Sequence, residues 1–210
     1  MDDSVADVNS PAAPSQLSSG SGAAPINWTF DTAGALERPT VETFIRRGFE
    51  GAYGSQLAHL MPELMVLRRQ SEIAAACGLR PAAMEKLFLE VYLDAPVETI
   101  LRAAADPTVA RADITEVGNL VIAQPGYARR LIVHLAAYLF ARDCRWVVFS
   151  AVPALRNSFR RIGIPLVTLA SADAHRLSAH ERALWGTYYD HSPMVTAVNV
   201  ADAFQAACTR

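Results

Sequence analysis

Apolar residues recur along this chain with two different spacings, and each spacing predicts a different kind of element. In VETFIRRGFEGAYGSQLAHLM they return every three or four residues, which predicts one or two helices. The apolar runs ELMVLRR and EIAAACGLRP are separated only by Gln70 and Ser71, a pattern typical of a β-hairpin with a short polar turn. INWTF is the first predicted strand, and LFLEVYLD is predicted to be extended.

The second half of the chain alternates between strand-like and helical segments. After a short helix from Pro96 to about Ala104, the predicted order is strand ITEVGNLVIA, helix 126–143, strand WVVFSAV, helix PALRNSFRRIG closed by Gly163, strand PLVTLA, strand MVTAVNV and a C-terminal helix. Because this alternation follows an antiparallel beginning, it predicts a mixed α/β sheet flanked by helices.

The amino-acid composition changes once along the chain, near residue 25. Residues 1–25 consist mainly of Ser, Ala, Pro, Gly and acidic residues. They bury too little apolar surface to offset the entropy of ordering, so we expect a disordered tail. From Ile26 onward the composition is that of a globular protein, and residues 26–210 are expected to form a single domain.

Charge and cysteine content exclude several classes of function. The net charge of −2 predicts no bulk attraction to nucleic acid. Cys77, Cys144 and Cys208 lack the spacing of a zinc site, a redox pair or a disulfide framework, and we expect neither a metal nor a permanently bound cofactor. The chain begins without a basic region followed by an apolar one, so a cytoplasmic protein is expected. Its longest apolar run, around 131–141, falls short of the roughly 20 residues of a transmembrane helix.

The stretch EVGNLVIAQPGYARRL, residues 116–131, is the main candidate for a functional site. In a regular strand Glu116 and Asn119 would point to opposite faces of the sheet. Gly118 lies between them, and a glycine inside a strand often marks a β-bulge, which would turn both side chains to one face. The bulge would also splay this strand from WVVFSAV and leave unpaired backbone groups on the walls of a slot.

The end of that slot is a helix start that suits an anion. Pro125 presets the first helical turn, and Gly126 has no side chain to block the free amides that follow. Phosphopantetheine, on coenzyme A or on an acyl carrier protein, has an amide-bearing arm and a phosphate end that fit this arrangement. The alternative is an ordinary strand-to-helix turn. G-x-G-x-x-G and G-x-x-x-x-G-K-[ST] do not occur here, so a Rossmann or triphosphate site is not supported.

Six blocks of the sequence resemble one known family. They are YGSQLAHLMPELMVLRR, CGLRPA, LFLEVYLD, EVGNL, WVVFSAVPALRNSFRRIG and WGTYYDHSP. From about Glu37 to Val200 the chain resembles the family named for thermostable hemolysin, which resembles in turn the GNAT (N-acetyltransferase) fold and its acyl-homoserine-lactone synthase branch. The resemblance implies a GNAT-like mixed sheet, with pantetheine in a splay between the fourth and fifth strands and the pyrophosphate at the start of the third helix.

The resemblance also implies a donor site, with departures. Ala123 to Ala128 take the place of the acetyltransferase motif Arg/Gln-x-x-Gly-x-Gly/Ala, and Ala123 replaces its polar first residue. Phe159 stands where many acetyltransferases have a tyrosine that protonates the leaving thiolate. The lactone synthases carry Glu-Leu-Ser-Arg where this chain has Glu116 to Asn119, so the acid is kept and the arginine is lost. The expected donor-binding residues are Leu120, Val121, Ala123, Gly126, Tyr127, Ala128, Arg129 and Arg130.

Two residues are candidates for catalysis. Glu116 is the candidate general base, which would take a proton from an attacking amine directly or through water. The alternative interpretation is that Glu116 is a strand carboxylate that pairs with an arginine for structural reasons. Asn119 would orient the substrate or Glu116, or would equally satisfy backbone groups at the bulge.

The acceptor site is expected on the preceding segments. Glu90, Tyr92 and Asp94 alternate in LFLEVYLD and would share one face of an extended segment, unless they are ordinary polar edge positions. Arg80 would bind a substrate carboxylate or phosphate, or form a structural salt bridge. Five arginines would form a basic face that binds a carrier protein or a coenzyme phosphate, or else a solvated surface: Arg129, Arg130, Arg156, Arg160 and Arg161. Four ring-bearing residues would form the wall of an acyl pocket, or else simply pack together: Trp185, Tyr188, Tyr189 and His191.

Three functions follow from these features. The first is an N-acyltransferase that moves an acyl group from acyl-coenzyme A or an acyl carrier protein to a small amine acceptor, such as an amino-acid-like molecule. The second is a membrane-active cytolysin, as the family name implies, although the missing signal and apolar span argue against it. The third is a non-catalytic module that binds acyl thioesters.

Overall fold

The computed structural model describes residues 26–208 of the 210-residue chain, so the expected tail at residues 1–25 lies outside the described residues. In this part of the chain the strands are β1 (Trp28–Thr32), β2 (Glu63–Arg69), β3 (Glu72–Pro81), β4 (Ile114–Ile122), β5 (Trp146–Ala151), β6 (Val167–Ser171) and β7 (Met194–Asn199). The helices are α1 (Arg38–Tyr53), α2 (Val97–Ala104), α3 (Ala128–Phe140), α4 (Pro153–Ile162), α5 (Ala179–Leu184) and α6 (Val200–Cys208).

The strands form one mixed sheet in the order β1-β2-β3-β4-β5-β7-β6. β1 to β4 are antiparallel to one another, β4 and β5 are parallel, and β7 is antiparallel to both β5 and β6. The predicted mixed α/β sheet is therefore confirmed. The β2–β3 hairpin turns at the predicted Gln70 and Ser71, where Gln70 adopts a left-handed φ of 58°.

Helices cover both faces of the sheet. α1 buries Val41, Ile45 and Phe49 against one face, together with residues of β2 and β3. α3, α4 and α6 pack on the other face and enclose a separate core with the alternate strand residues. As predicted, Gly163 ends α4 in the left-handed conformation. None of the helices within residues 26–208 is both long and apolar enough to cross a membrane.

Two element predictions are wrong in part, and one element was not predicted at all. LFLEVYLD is not extended: Phe88–Tyr92 form a 3₁₀ helix, because the Glu90 carboxylate accepts the backbone N–H of Leu87 and so caps the turn. The helix predicted for 126–143 is a 3₁₀ turn over Pro125–Tyr127 followed by α3, which ends at Phe140. The sequence patterns also overlooked α5, a short helix held by a capping box between Ser178 and Glu181.

The splay between β4 and β5 is the feature that shapes the site. Within residues 26–208, these two strands pair only at Ile114–Trp146, Thr115–Val147 and Glu116–Val148. A bulge on β4 accompanies the divergence: Gly118 pairs with Gly78 and Val121 with Ala76, so β4 has one extra residue there. The left-handed residue is Asn119, with φ 50°, rather than Gly118. Residues 117–122 of β4 and 149–151 of β5 thus face a gap, here called the slot.

Candidate active site

A cavity of about 320 Å³ passes through the sheet at the slot. On one face of the sheet its lining includes Arg80 and Glu116, and on the other it includes Val147 and Leu135. Slot residues such as Gly118 and Leu120 line it between the two faces. Because successive strand residues alternate between faces, a single cavity that reaches both must run between the strands.

The bulge on β4 brings Glu116 and Asn119 to the same face, as the sequence predicts. An added Cβ at Gly118 would meet the side chain of Met61, and the backbone N–H of Met61 donates to Asn119 Oδ1 at 2.8 Å. Gly118 shares the face of Glu116, two residues earlier. The segment before β2 therefore lies over the bulge and forms one wall of the cavity. Nothing in the local sequence pattern singles out Met61, because this contact joins residues far apart in the chain.

Glu116 is almost fully buried at the edge of the cavity, with 3% of its surface exposed. Its two carboxylate oxygens accept the backbone N–H groups of Phe88 and Leu89 at 2.9 and 3.0 Å. Arg80 Nη1 lies 3.7 Å from Oε2. Burial raises the pKa of Glu116, and the two amides and the Arg80 charge oppose that rise. Such a carboxylate can both hold the 3₁₀ turn in place and accept a proton.

The mouth of the cavity, on the Glu116 face, combines one arginine with several aromatic rings. Arg80 lines it and pairs with Glu85 at 3.0 Å. Tyr92 lines it as well, and its hydroxyl shares a hydrogen bond with the hydroxyl of Tyr189. Further aromatic rings on this side of the lining are those of Phe49, Tyr53, Phe88, Trp185 and Tyr188. Arg80 and Tyr92 thus both lie at the mouth, beside Glu116.

Glu90 and Asp94 lie outside the cavity, so the prediction that they share one acceptor face with Tyr92 is wrong. The reason is the 3₁₀ geometry, which does not alternate side chains as a strand does. Arg111 binds Glu90 at 2.7 and 3.0 Å, and the backbone N–H of Val97 donates to the same carboxylate at 3.1 Å. Asp94 is exposed and pairs with Arg176.

The start of α3 meets α4 at a second, shallower depression. Its lining includes Gly126, Ala128 and Arg129 from the expected donor site, together with Ser158 and Arg161 of α4. The expectation of several free amides there needs correction. The 3₁₀ turn pairs the N–H groups of Tyr127 and Ala128 with the carbonyls of Gln124 and Pro125. An anion at this point would depend mainly on the arginine side chains.

The other β4-side residues expected at the donor site lie in three different environments. Leu120 lines the cavity. Val121 packs against α1, where an added Cβ on Gly48 would overlap its side chain, and the N–H of Ala123 donates to the carbonyl of Ala74.

Tyr127 and Arg130 lie on the β1 side of α3. The ring of Tyr127 packs edge-on against Trp28, and the Arg130 guanidinium lies 4.5 Å from the centre of the Trp28 ring. Both side chains are therefore occupied by a contact on the opposite side of the helix start from Arg129.

Comparison with solved structures supports the fold. FeeM, described as an N-acyl amino acid synthase from uncultured soil microbes, is 13% identical and has a TM-score of 0.57, with 87% of this chain and 95% of that chain covered. The acyl-homoserine lactone synthase LasI is 10% identical, with a TM-score of 0.56 and coverage of 87% and 94%. MesI, described as a CoA-dependent acyl-homoserine lactone synthase, is 14% identical, with a TM-score of 0.52 and the same coverage. At these identities the likeness establishes the GNAT-like fold.

Comparison with sequences gives two results. A search of curated proteins gave no match. The family model described as thermostable hemolysin matches residues 32–204, close to the range over which the sequence blocks resemble that family. The match covers most of the chain, and this protein belongs to the thermostable hemolysin family.

Proposed function

We propose that this protein is an acyltransferase that moves an acyl group from a pantetheine thioester to an amine. The observation that carries the proposal is the cavity that passes between β4 and β5 where their pairing ends. A thioester arm is long, narrow and rich in amides, and the slot offers it strand edges for hydrogen bonding. The described activities of FeeM and MesI, an N-acyl amino acid synthase and a lactone synthase, favour the same chemistry.

The donor lies in the slot with its phosphates at the start of α3. Gly126 leaves room for the phosphate, and Arg129 supplies charge in the depression between α3 and α4. The thioester carbonyl then reaches the bulge, where a backbone N–H group near Leu120 stabilises the oxyanion of the tetrahedral intermediate. The N–H of Val121, like that of Ala123, lies on the β3 side of the strand. Ala128 lines the same depression. Ala123, Tyr127 and Arg130 support this end of the site through their contacts with Ala74 and Trp28.

The acceptor enters through the mouth beside Arg80 and Tyr92. Its amine nitrogen attacks the thioester carbonyl carbon, and Glu116 takes the proton that the nitrogen loses, directly or through one water. The carbon–sulfur bond then breaks, and the leaving thiolate takes a proton from water. Asn119 positions the wall of the mouth through its bond to Met61. Arg80 is the arginine that binds a carboxylate on an amino-acid-like acceptor.

Turnover of defined thioesters tests the proposal. Purified protein would be incubated with acyl-coenzyme A or an acyl carrier protein thioester and a pool of amino acids and amines. We expect free thiol to be released and new amides to form, both detected by mass spectrometry. Binding of thioesters with no consumption by any acceptor would instead favour a non-catalytic binding module.

A parallel assay tests the activity that the family name describes. Protein purified without detergent would be incubated with red cells, with heat-denatured protein as the control. We expect no lysis at concentrations that give full thioester turnover. Lysis without thioester turnover would support a cytolysin and contradict the acyltransferase.

A further inference from the structure

The cavity has a second half whose chemistry differs from that of the mouth. On the far side of the slot it runs along α3, past Leu131, Ile132, Leu135, Ala136 and Leu139, with Ala203 on neighbouring α6. We call this half the apolar arm. Across the described residues, every polar side chain of the lining, such as Arg80, Glu116 and Asn119, lies at the mouth or in the slot. The apolar arm therefore suits only a hydrocarbon group.

The length of the apolar arm can be read from the helix that lines it. Leu131 and Leu139 are eight residues apart on α3, and at 1.5 Å per residue they span about 12 Å. A staggered hydrocarbon chain advances about 1.3 Å per carbon, so about nine carbons fit along this wall. A group of two carbons would leave most of it empty.

Ordinary packing does not account for the apolar arm. Protein interiors leave few voids larger than a water molecule. Here the lining of one continuous cavity extends from the polar mouth into the largest core cluster of the described residues. Two of the side chains that line it, those of Ala136 and Ala203, are small. A cavity that is open at one end and apolar at the other is typical of a binding site for an aliphatic chain.

We infer that the donor carries a medium or long acyl chain, of about eight to twelve carbons, which lies in the apolar arm. The inference rests on the proposed function and gives its donor a chemical class. The thioester carbonyl lies in the slot and the hydrocarbon chain passes on beneath α3. The acceptor remains on the opposite face of the sheet, in the mouth.

Affinity for a chain-length series tests this assignment without any variant. Non-hydrolysable thioether analogues of acyl-coenzyme A, with chains from two to fourteen carbons, would be titrated by calorimetry. Burying one methylene group is worth about a fourfold gain in affinity, so the eight methylene groups added between two and ten carbons would lower Kd by about 10⁴- to 10⁵-fold if all were fully buried. We expect a fall of at least about a hundredfold, and then a plateau beyond the length of the apolar arm. A flat series would overturn the inference.

Two substitutions test where the hydrocarbon chain of the donor lies. Ala136→Phe fills the apolar arm from α3, and Ala203→Leu narrows it from α6, so a second variant is available if one fails to fold. Each should shift the optimum chain length of binding and turnover downward by several carbons. Ala141→Phe, exposed just beyond α3, is the matched control and should leave the optimum where it is.

The outcomes separate this inference from the proposed function. Graded affinity that shifts in the two variants supports the apolar arm, even if no thioester is consumed, in which case only the proposed function fails. Turnover without chain-length preference, or an optimum that Ala136→Phe and Ala203→Leu leave unmoved, overturns the apolar arm and leaves the proposed function in place.

Discussion

Glu116 faces the cavity and also holds two backbone amides, so its substitution must separate catalysis from packing. We predict that Glu116→Gln lowers kcat/KM by about 10² to 10⁴, the range typical of a lost general base. Because burial raises the pKa of Glu116, wild-type activity should fall as the pH drops through a value above the 4.5 of an ordinary glutamate. This acidic limb should be missing from the pH profile of the variant.

The control for Glu116 is a strand carboxylate away from the cavity. Glu63 on β2 pairs with Arg142 at 3.0 Å, and Glu63→Gln should keep the wild-type pH profile. Thermal unfolding of both variants would show whether activity falls without loss of the fold. An acidic limb that persists in Glu116→Gln would assign the proton transfer to another group and leave Glu116 a structural role.

Glu90 is predicted to stabilise the fold rather than to bind substrate. Glu90→Gln should lower the free energy of unfolding by about 2–3 kcal/mol, because a buried carboxylate loses its charged bonds to Arg111. Hydrogen bonds from Arg111 lower the pKa of Glu90 to about 2 from an ordinary 4.5. The stability that this ionised group contributes is present above about pH 4.5 and is lost as the pH falls from there through about 2.

Urea denaturation at pH 7 and at pH 3 would measure this effect. The difference between wild type and Glu90→Gln should be smaller at the lower pH. Asp94→Asn is the matched control, since Asp94 is 84% exposed in its pair with Arg176, and it should change stability by less than about 0.5 kcal/mol. An equal effect of both substitutions would contradict the buried network.

At the residue scale, the sequence predicts side chains on a strand better than side chains in a short turn. Glu116 and Asn119 could be placed on one face because Gly118 between them signals a bulge. Glu90 and Asp94 could not be placed, since the Glu90 carboxylate that caps the 3₁₀ turn is itself held by Arg111, which lies 21 residues later in the chain. Phe88, which donates its amide to Glu116, could not be identified for the same reason.

At the scale of elements, the segment that ends at Met61 lies tightly over two glycines. A Cβ at Gly78 would lie 2.6 Å from Met61 Cβ and 3.1 Å from Asn119 Oδ1. Both atoms belong to neighbouring segments of the same chain and have little freedom to move. A Cβ at Gly118 would lie 2.5 Å from Met61 Cε, the free end of a flexible side chain. We predict that Gly78→Ala lowers stability by about 1–3 kcal/mol and Gly118→Ala by less.

Urea denaturation of the two alanine variants compares these glycines directly. The same pair also tests the site, because displacement of Met61 breaks its bond to Asn119 and widens the mouth. Gly78→Ala should therefore raise KM for the acceptor more than Gly118→Ala does. Equal stability and equal KM in both variants would mean that the segment before β2 is loosely held.

Elements with a strong local pattern were predictable, and those defined by distant contacts were not. The β2–β3 hairpin and α4 have clear turn and capping residues, Gln70 and Gly163. The 3₁₀ turn at Phe88–Tyr92 carries an apolar pattern that also suits a strand, and α5 has only six residues. Short elements of this kind receive their conformation from tertiary contacts.

For the whole molecule, the alternation of strands and helices predicts the mixed sheet, and one glycine predicts where it opens. The cavity itself could not be predicted, because its lining comes from elements on both faces that meet only in the fold. Its central property is that one face offers a carboxylate and an arginine while the other offers hydrocarbon. An acyl group in the slot would have its carbonyl between these two surroundings.

A crystal structure with a non-hydrolysable decanoyl thioether of coenzyme A would test this arrangement most directly. We predict pantetheine between residues 117–122 of β4 and 149–151 of β5, phosphates beside Gly126 and Arg129, and the hydrocarbon chain along Leu135 of α3. Pantetheine bound outside the slot, with β4 and β5 paired beyond Glu116 and Val148, would contradict it.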